Sequence, residues 1–118
     1  MSKIAIIVLA DTETHEALGR VVNALEAVKE LKDGHDDVRL IFDGAGTRWV
    51  GELSKAEHRV HGLYAAVRDK VTGACAFCAG AFGAKQSVEA ANVPLMSEYD
   101  GHPSVKKLVD EGYQVITF

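Results

Sequence analysis

Two rhythms of apolar residues alternate along this chain. Short unbroken runs give way to stretches in which apolar positions recur every three or four residues. The clearest run is Ile4-Ala5-Ile6-Ile7-Val8-Leu9. A β-branched run of this kind suits a parallel strand buried on both faces. With no polar interruption, residues 3–9 are expected at the centre of a sheet, not at its edge. The polar stretch Asp11-Thr12-Glu13-Thr14-His15 can supply a helix N-cap. Ala17, Leu18, Val21, Val22, Leu25, Val28 and Leu31 then follow at helical spacing, up to Asp33-Gly34.

The alternation continues to the end of the chain. Val38–Phe42 reads as a second strand closing on Asp43-Gly44. Ser54-Lys55-Ala56-Glu57 matches a capping box and predicts a helix start, with Val60, Leu63, Tyr64 and Val67 as its apolar face. A third strand is expected over 71–77, a helix over 80–91 and a short strand over Val93–Met96. Pro94 puts that strand at an edge or at its own first residue. Pro103 suits the first turn of a last helix running through Val109 and ended by Gly112. Tyr113–Phe118 is the fifth strand.

The order β-α-β-α-β-α-β-α-β implies a parallel sheet, because each parallel crossover needs a helix. The expected fold is therefore α/β, a three-layer α/β/α arrangement around a mostly parallel five-stranded sheet. Residues 1–118 form one domain. No repeat, linker or low-complexity segment divides them. The formal net charge of −4 and the absence of a Lys/Arg cluster argue against nucleic acid as a partner. The first apolar run is six residues long, too short to span a membrane. A cytoplasmic setting is expected, with no membrane partner. There thiols are kept reduced, so paired cysteines point to catalysis or metal binding rather than to a structural staple.

In open parallel sheets, sites form beyond the carboxyl ends of the strands. The segments at those ends are 10–15, 43–49, 75–80 and 97–102. They gather Asp11, His15, Asp43, Gly44, Arg48, Trp49, Glu98, Tyr99, Asp100 and His102. They also hold both cysteines of the chain, Cys75 and Cys78. These lie where the third strand should meet a helix of small residues. A thiol at the positive end of a helix favours its thiolate, the form that attacks sulfur and binds metal.

The cysteine junction Ala74–Gly83, the apolar first strand and the tail Leu108-Val109-Asp110-Glu111-Gly112-Tyr113-Gln114-Val115-Ile116 resemble the DsrE/F-like family of small sulfur-relay proteins over nearly the whole chain. That resemblance implies a three-layer α/β/α domain, assembly into a homo-oligomer (trimer or hexamer) and sulfur carried as a persulfide on one cysteine after the third strand. Cys78 matches that position. Cys75 has no counterpart in the family pattern, and its presence admits dithiol chemistry.

The residues themselves leave alternatives open. Cys78 is the expected nucleophile, Cys75 and His102 its expected catalytic companions. If the strand stays extended through Phe77, the two cysteine Cα atoms lie about 10 Å apart at roughly 3.3 Å per residue, beyond the ~7 Å limit of a disulfide. A turn at Ala76-Phe77 would bring them into reach. A zinc site needs about four ligands and one CxxC supplies two, so no metal is expected, and no cofactor. His15 and His102 can each polarise a thiolate or act as an acid. His102 is preferred, in a polar loop without apolar duty. His58 and His61 fall off their helix's apolar stripe and read as surface residues. Gly44-Ala45-Gly46 half-matches a dinucleotide fingerprint and reads as a turn whose amides can cradle an anion. Asp11, His15, Asp43, Gly44, Arg48 and Tyr99 are the expected ligand-binding residues. The leading functional expectation is a persulfide carrier or sulfurtransferase subunit using Cys78, with a sulfur donor or acceptor protein as partner. A thiol-disulfide oxidoreductase using both cysteines, or a non-catalytic small-ligand-binding domain, is the alternative.

Overall fold

The structure is a computed structural model describing residues 1–118. Five strands, β1 (Lys3–Val8), β2 (Asp37–Phe42), β3 (Val71–Cys75), β4 (Leu95–Met96) and β5 (Gln114–Thr117), form one sheet in the order β4-β3-β2-β1-β5. Every pairing is parallel. The expected α/β/α fold is present. β1 is interior, hydrogen-bonded to β2 and β5, but β2 holds the middle place. Leu9 lies beyond the strand and is exposed.

The helices are α1 (His15–Asp33), α2 (Trp49–Ser54), α3 (His61–Val67), α4 (Ala76–Ala81), α5 (Lys85–Ala90) and α6 (Val105–Asp110). From β1 to β4 the chain steps across the sheet in one direction. Right-handed crossovers then keep α1–α5 on one face. The step from β4 back past β1 to β5 reverses direction and sends α6 to the other face. The two cores follow this division. Residues of β1, β2 and α1–α5, among them Ile6, Leu25, Leu40, Phe42, Val50, Tyr64 and Val88, make the larger one. Ala5, Ile7, Ile41, Leu108 and Tyr113 make the smaller one beneath α6.

Several expected boundaries move, each for a local reason. Thr14 caps α1 as read, its hydroxyl accepting from the Ala17 amide at 3.0 Å. The capping box at Ser54 does not open a helix. α2 ends there, and the Ser54 hydroxyl instead donates back to the Val50 carbonyl. The preceding 3₁₀ turn over Gly44–Arg48 had already started that helix. The single helix expected over 80–91 is two, α4 and α5, broken at Gly83 with φ +69°. α6 is capped by the Ser104 hydroxyl on the Lys107 amide, not begun at Pro103. β3 stops at Cys75 instead of running to residue 77.

Candidate functional site

Register and topology together build one cluster of donors. In the β2–β3 pairing Phe42 stands opposite Ala74. Carrying that parallel register one residue further sets Asp43 beside Cys75. Ala74 belongs to the larger core, so strand alternation turns Cys75 toward the α6 side of the sheet. The chain then coils at once into α4, with Cys75 as its N-cap. The first turn of α4 returns Cys78 to Cys75. The Cys78 amide donates to the Cys75 sulfur at 3.4 Å.

The fourth member arrives from beyond β4. Tyr99 and His102 exchange backbone hydrogen bonds of 2.9 and 2.7 Å. Asp100 and Gly101 between them have φ of +48° and +82°. Positive φ at both central residues is the type I′ turn, for which Asp-Gly is a favoured pair. The Phe77 amide donates to the Gly101 carbonyl at 2.9 Å, which ties this turn to the start of α4. Glu98 steadies the far side, accepting from the Ser104 amide at 3.1 Å and from Lys107 at 2.9 Å. Those two bonds, Lys107 first, hold its carboxyl below the usual carboxylate range. The result places His102 Nδ1 3.2 Å from the Cys75 sulfur. The Phe77 ring, largely open to solvent, lies 5.0 Å from the imidazole.

Donor atoms of Asp43, Cys75, Cys78 and His102 all lie within 4.8 Å of one another. Cys75 is fully buried, while the other three are half-buried. Burial is the main reason the Cys75 thiol is pushed up to about 12. The Cys78 amide acts against this, and the Asp43 carboxylate reinforces it. Without a partner to take its proton, Cys75 is therefore a thiol at neutral pH. Cys78 is the more accessible sulfur. Cys75, the N-cap of α4, lies nearer the start of that helix than Cys78 does. The turn needed to bring the cysteines together is present. It comes at Cys75-Ala76, one residue earlier than the position considered. Ligand counting from the CxxC alone found two donors. Chain folding adds two more, from 32 residues before Cys75 and 27 after it.

The other sequence-derived residues do not join this cluster. Arg48 pairs with Asp11 at 3.1 Å and Glu13 at 3.8 Å, and its Nε donates to the Phe82 carbonyl. Asp11 is held below the usual carboxylate range by the Thr12 amide first, then by Arg48. These carboxylates already balance Arg48 as a potential anion anchor. Arg48 lines a groove of about 540 Å³ with Thr12, Glu13, Phe82 and Ser87. His15 is exposed and lines a second groove, beside Trp49 and His58. Neither groove is lined by a residue of the cysteine cluster. Tyr99 is exposed, its ring outside the cluster.

The glycine turn after β2 is not an open anion cradle. The Gly44 amide donates to its neighbour Asp43 Oδ1 at 2.8 Å, and the Gly46 amide donates to the Asp43 carbonyl. A Cβ on Gly46 would lie 2.8 Å from the Val8 carbonyl carbon and closer still to its oxygen. The glycine is there for close approach to the end of β1. His58 and His61 are not solvated bystanders. His58 Nδ1 accepts from the Val60 amide at 3.1 Å, and His61 Nδ1 meets the Leu53 carbonyl at 2.7 Å. Both hold the link between α2 and α3.

No family model matches the chain. It is 29% identical over 96 residues to the uncharacterized protein MJ0733 of Methanocaldococcus jannaschii, covering 81% of this chain and 78% of that protein. Its fold is similar to that of BT1422 of Bacteroides thetaiotaomicron, a conserved protein of unknown function. The TM-score is 0.64 at 13% identity, over 97% of this chain and 94% of the other. No helix here is long and apolar enough to cross a membrane. The likeness to BT1422 supports the three-layer α/β/α fold around a parallel five-stranded sheet, and the structure itself brings the two cysteines of the chain together at the carboxyl edge of that sheet.

Proposed function

We propose that this protein handles sulfur through Cys78, with Cys75 and His102 as its companions. The supporting observation is that Cys78, the more accessible sulfur, sits in the first turn of α4 against a buried second thiol that itself meets an imidazole. The resemblance to DsrE/F-like proteins points the same way. In the reaction the Cys78 thiolate attacks the sulfane sulfur of a persulfide donor. The donor's S–S bond breaks, its thiolate leaves and a Cys78 persulfide remains. An acceptor thiolate then takes the outer sulfur and Cys78 returns as thiolate. A thiolate of pKa near ambient pH does this best.

The closeness of the two cysteines favours a second reading, a thiol-disulfide oxidoreductase. There the Cys75 thiolate attacks the inner sulfur of the Cys78 persulfide, hydrosulfide leaves and a Cys75–Cys78 disulfide forms. Mass spectrometry after treatment with a sulfane-sulfur donor separates the readings. Sulfur gained by the wild type and by Cys75→Ser, and lost in Cys78→Ser, supports the carrier. A wild type that ends as an internal disulfide supports the oxidoreductase. A protein that neither gains sulfur nor forms the internal disulfide refutes both and leaves a ligand-binding domain.

The setting proposed is the cytoplasm, where both thiols stay reduced, with a donor or acceptor protein as partner. The assembly proposed is a homo-oligomer, a trimer or larger, through the thinly covered face. Val105 and Val109, one turn apart on α6, are more than half exposed, as is Phe77. Trp49 is buried within the single chain, its indole N–H donating to the Ala10 carbonyl.

A further inference from the structure

We infer that Asp43, Cys75, Cys78 and His102 form a tetrahedral site for a zinc-class divalent cation. The donors come from four separate segments: the end of β2, the end of β3, the first turn of α4 and the turn after β4. Two sulfurs, one imidazole nitrogen and one carboxylate oxygen are a set that zinc favours. Zinc–ligand bonds of about 2.0–2.3 Å in a tetrahedron put ligand atoms roughly 3.3–3.8 Å apart. The four donors here already lie within 4.8 Å of one another, and the Cys75 sulfur is 3.2 Å from His102 Nδ1. Small rotations of half-buried side chains close the remainder.

Three surrounding features fit a metal better than a bare thiol pair. A thiol pair needs no carboxylate, yet Asp43 sits with the two sulfurs and enters none of the chain's salt bridges. A dication offsets two of the three negative charges that this carboxylate and two thiolates would carry, where no side-chain cation does. The Cys78 amide donates to the Cys75 sulfur, and the Gly44 amide donates to Asp43 Oδ1. Outer hydrogen bonds of this kind orient ligands around a metal. His102 is fixed by the Asp-Gly turn with the nitrogen nearer the cluster directed inward.

Binding is balanced by proton release. Two thiols become thiolates and shed two protons as one cation enters, with no change of oxidation state. With metal bound, both sulfurs are ligands and neither attacks a donor. The site is then a metal centre in one state and a thiol pair in the other. The inference does not rest on the sulfur-transfer reading, since either chemistry can fail alone.

The test is titration of the metal-free, reduced protein with cobalt(II), followed by displacement with zinc. One cobalt per chain is expected, with thiolate-to-cobalt charge-transfer absorption and tetrahedral visible bands. Cys78→Ser abolishes the charge-transfer band of a two-thiolate site. His102→Ala and Asp43→Asn each weaken binding by about tenfold or more, with circular dichroism unchanged. A second measurement uses the wild type alone. One equivalent of zinc protects Cys78 from alkylation, and chelation restores its reaction. No cobalt spectrum, or no protection by zinc, overturns the inference. So does a spectrum unaltered in both His102→Ala and Asp43→Asn, which would mean a bare bis-thiolate. Sulfur uptake is measured separately on the chelated protein, so its failure leaves the metal result standing.

Discussion

Gly46 and the two cysteines show how little room the site leaves at single positions. Replacing Gly46 by alanine drives a methyl into the Val8 carbonyl. The expected loss is about 1–3 kcal/mol, read as a lower denaturant midpoint. Between the thiols, burial decides reactivity. Cys75 is inaccessible and pushed up to about 12, Cys78 half-exposed. In the metal-free protein, Cys78 therefore alkylates faster near neutral pH. Comparing rates in Cys75→Ser and Cys78→Ser checks it, and equal rates would count against the assignment. Glu98 supplies the pH dependence. Its folded carboxyl is held below its ordinary value by Lys107 and the Ser104 amide. The stabilisation is thus complete above that ordinary value, near 4.5, and is lost as pH falls through the folded one. The pair is largely exposed, so the effect is a few tenths of a kcal/mol. Glu98→Gln should remove that part of the acid sensitivity in thermal melts taken from pH 6 down to 3. Both cysteines and His102 were legible from the sequence, because their residue types and the strand-end rule pointed to them. Asp43 was legible as a ligand-binding residue but not as a neighbour of the cysteines, since the register that sets it beside Cys75 is a property of the paired strands.

At the scale of elements, the turn Tyr99–His102 matters more than its polarity suggested. Asp-Gly is a strong signal for a type I′ turn, and it was present in the sequence. It went unread because the flanking strand is only two residues long, with no alternating pattern to frame a hairpin. Gly101→Ala puts a side chain at φ +82°, a conformation costing about 1–2 kcal/mol for most residues. The expected result is a lower melting temperature and a displaced imidazole. A shift in the His102 resonances while those of His15 stay fixed would report this. The α2–α3 region was misread for a related reason. The Ser54 box is a real motif, but a 3₁₀ turn with close glycine packing launched the helix ten residues earlier. Short elements held by local side-chain-to-backbone hydrogen bonds, such as those of His58 and His61, leave little periodicity to detect.

The whole molecule was more legible than its parts. Strand count, parallel pairing and the α/β/α layering followed from alternating apolar rhythms, which are long-wavelength features. Strand order is set by crossover direction, and the chain does not spell that out. The uneven cover of the sheet bears on assembly. If the α6 face joins copies, Val109→Lys should shift light-scattering mass toward the single chain without altering its circular dichroism. A wild type that is monomeric at micromolar concentration would refute that assembly. The return of β5 across the sheet has a consequence for folding kinetics. β1 to β4 pair with sequence neighbours, whereas β5 must close a loop of more than a hundred residues onto β1. Contacts of such separation form slowly. Until they do, the Ile4–Val8 strand presents a bare apolar edge, the kind that pairs with other chains. The pace at which Gln114–Thr117 docks therefore governs how long each newly made molecule is open to aggregation.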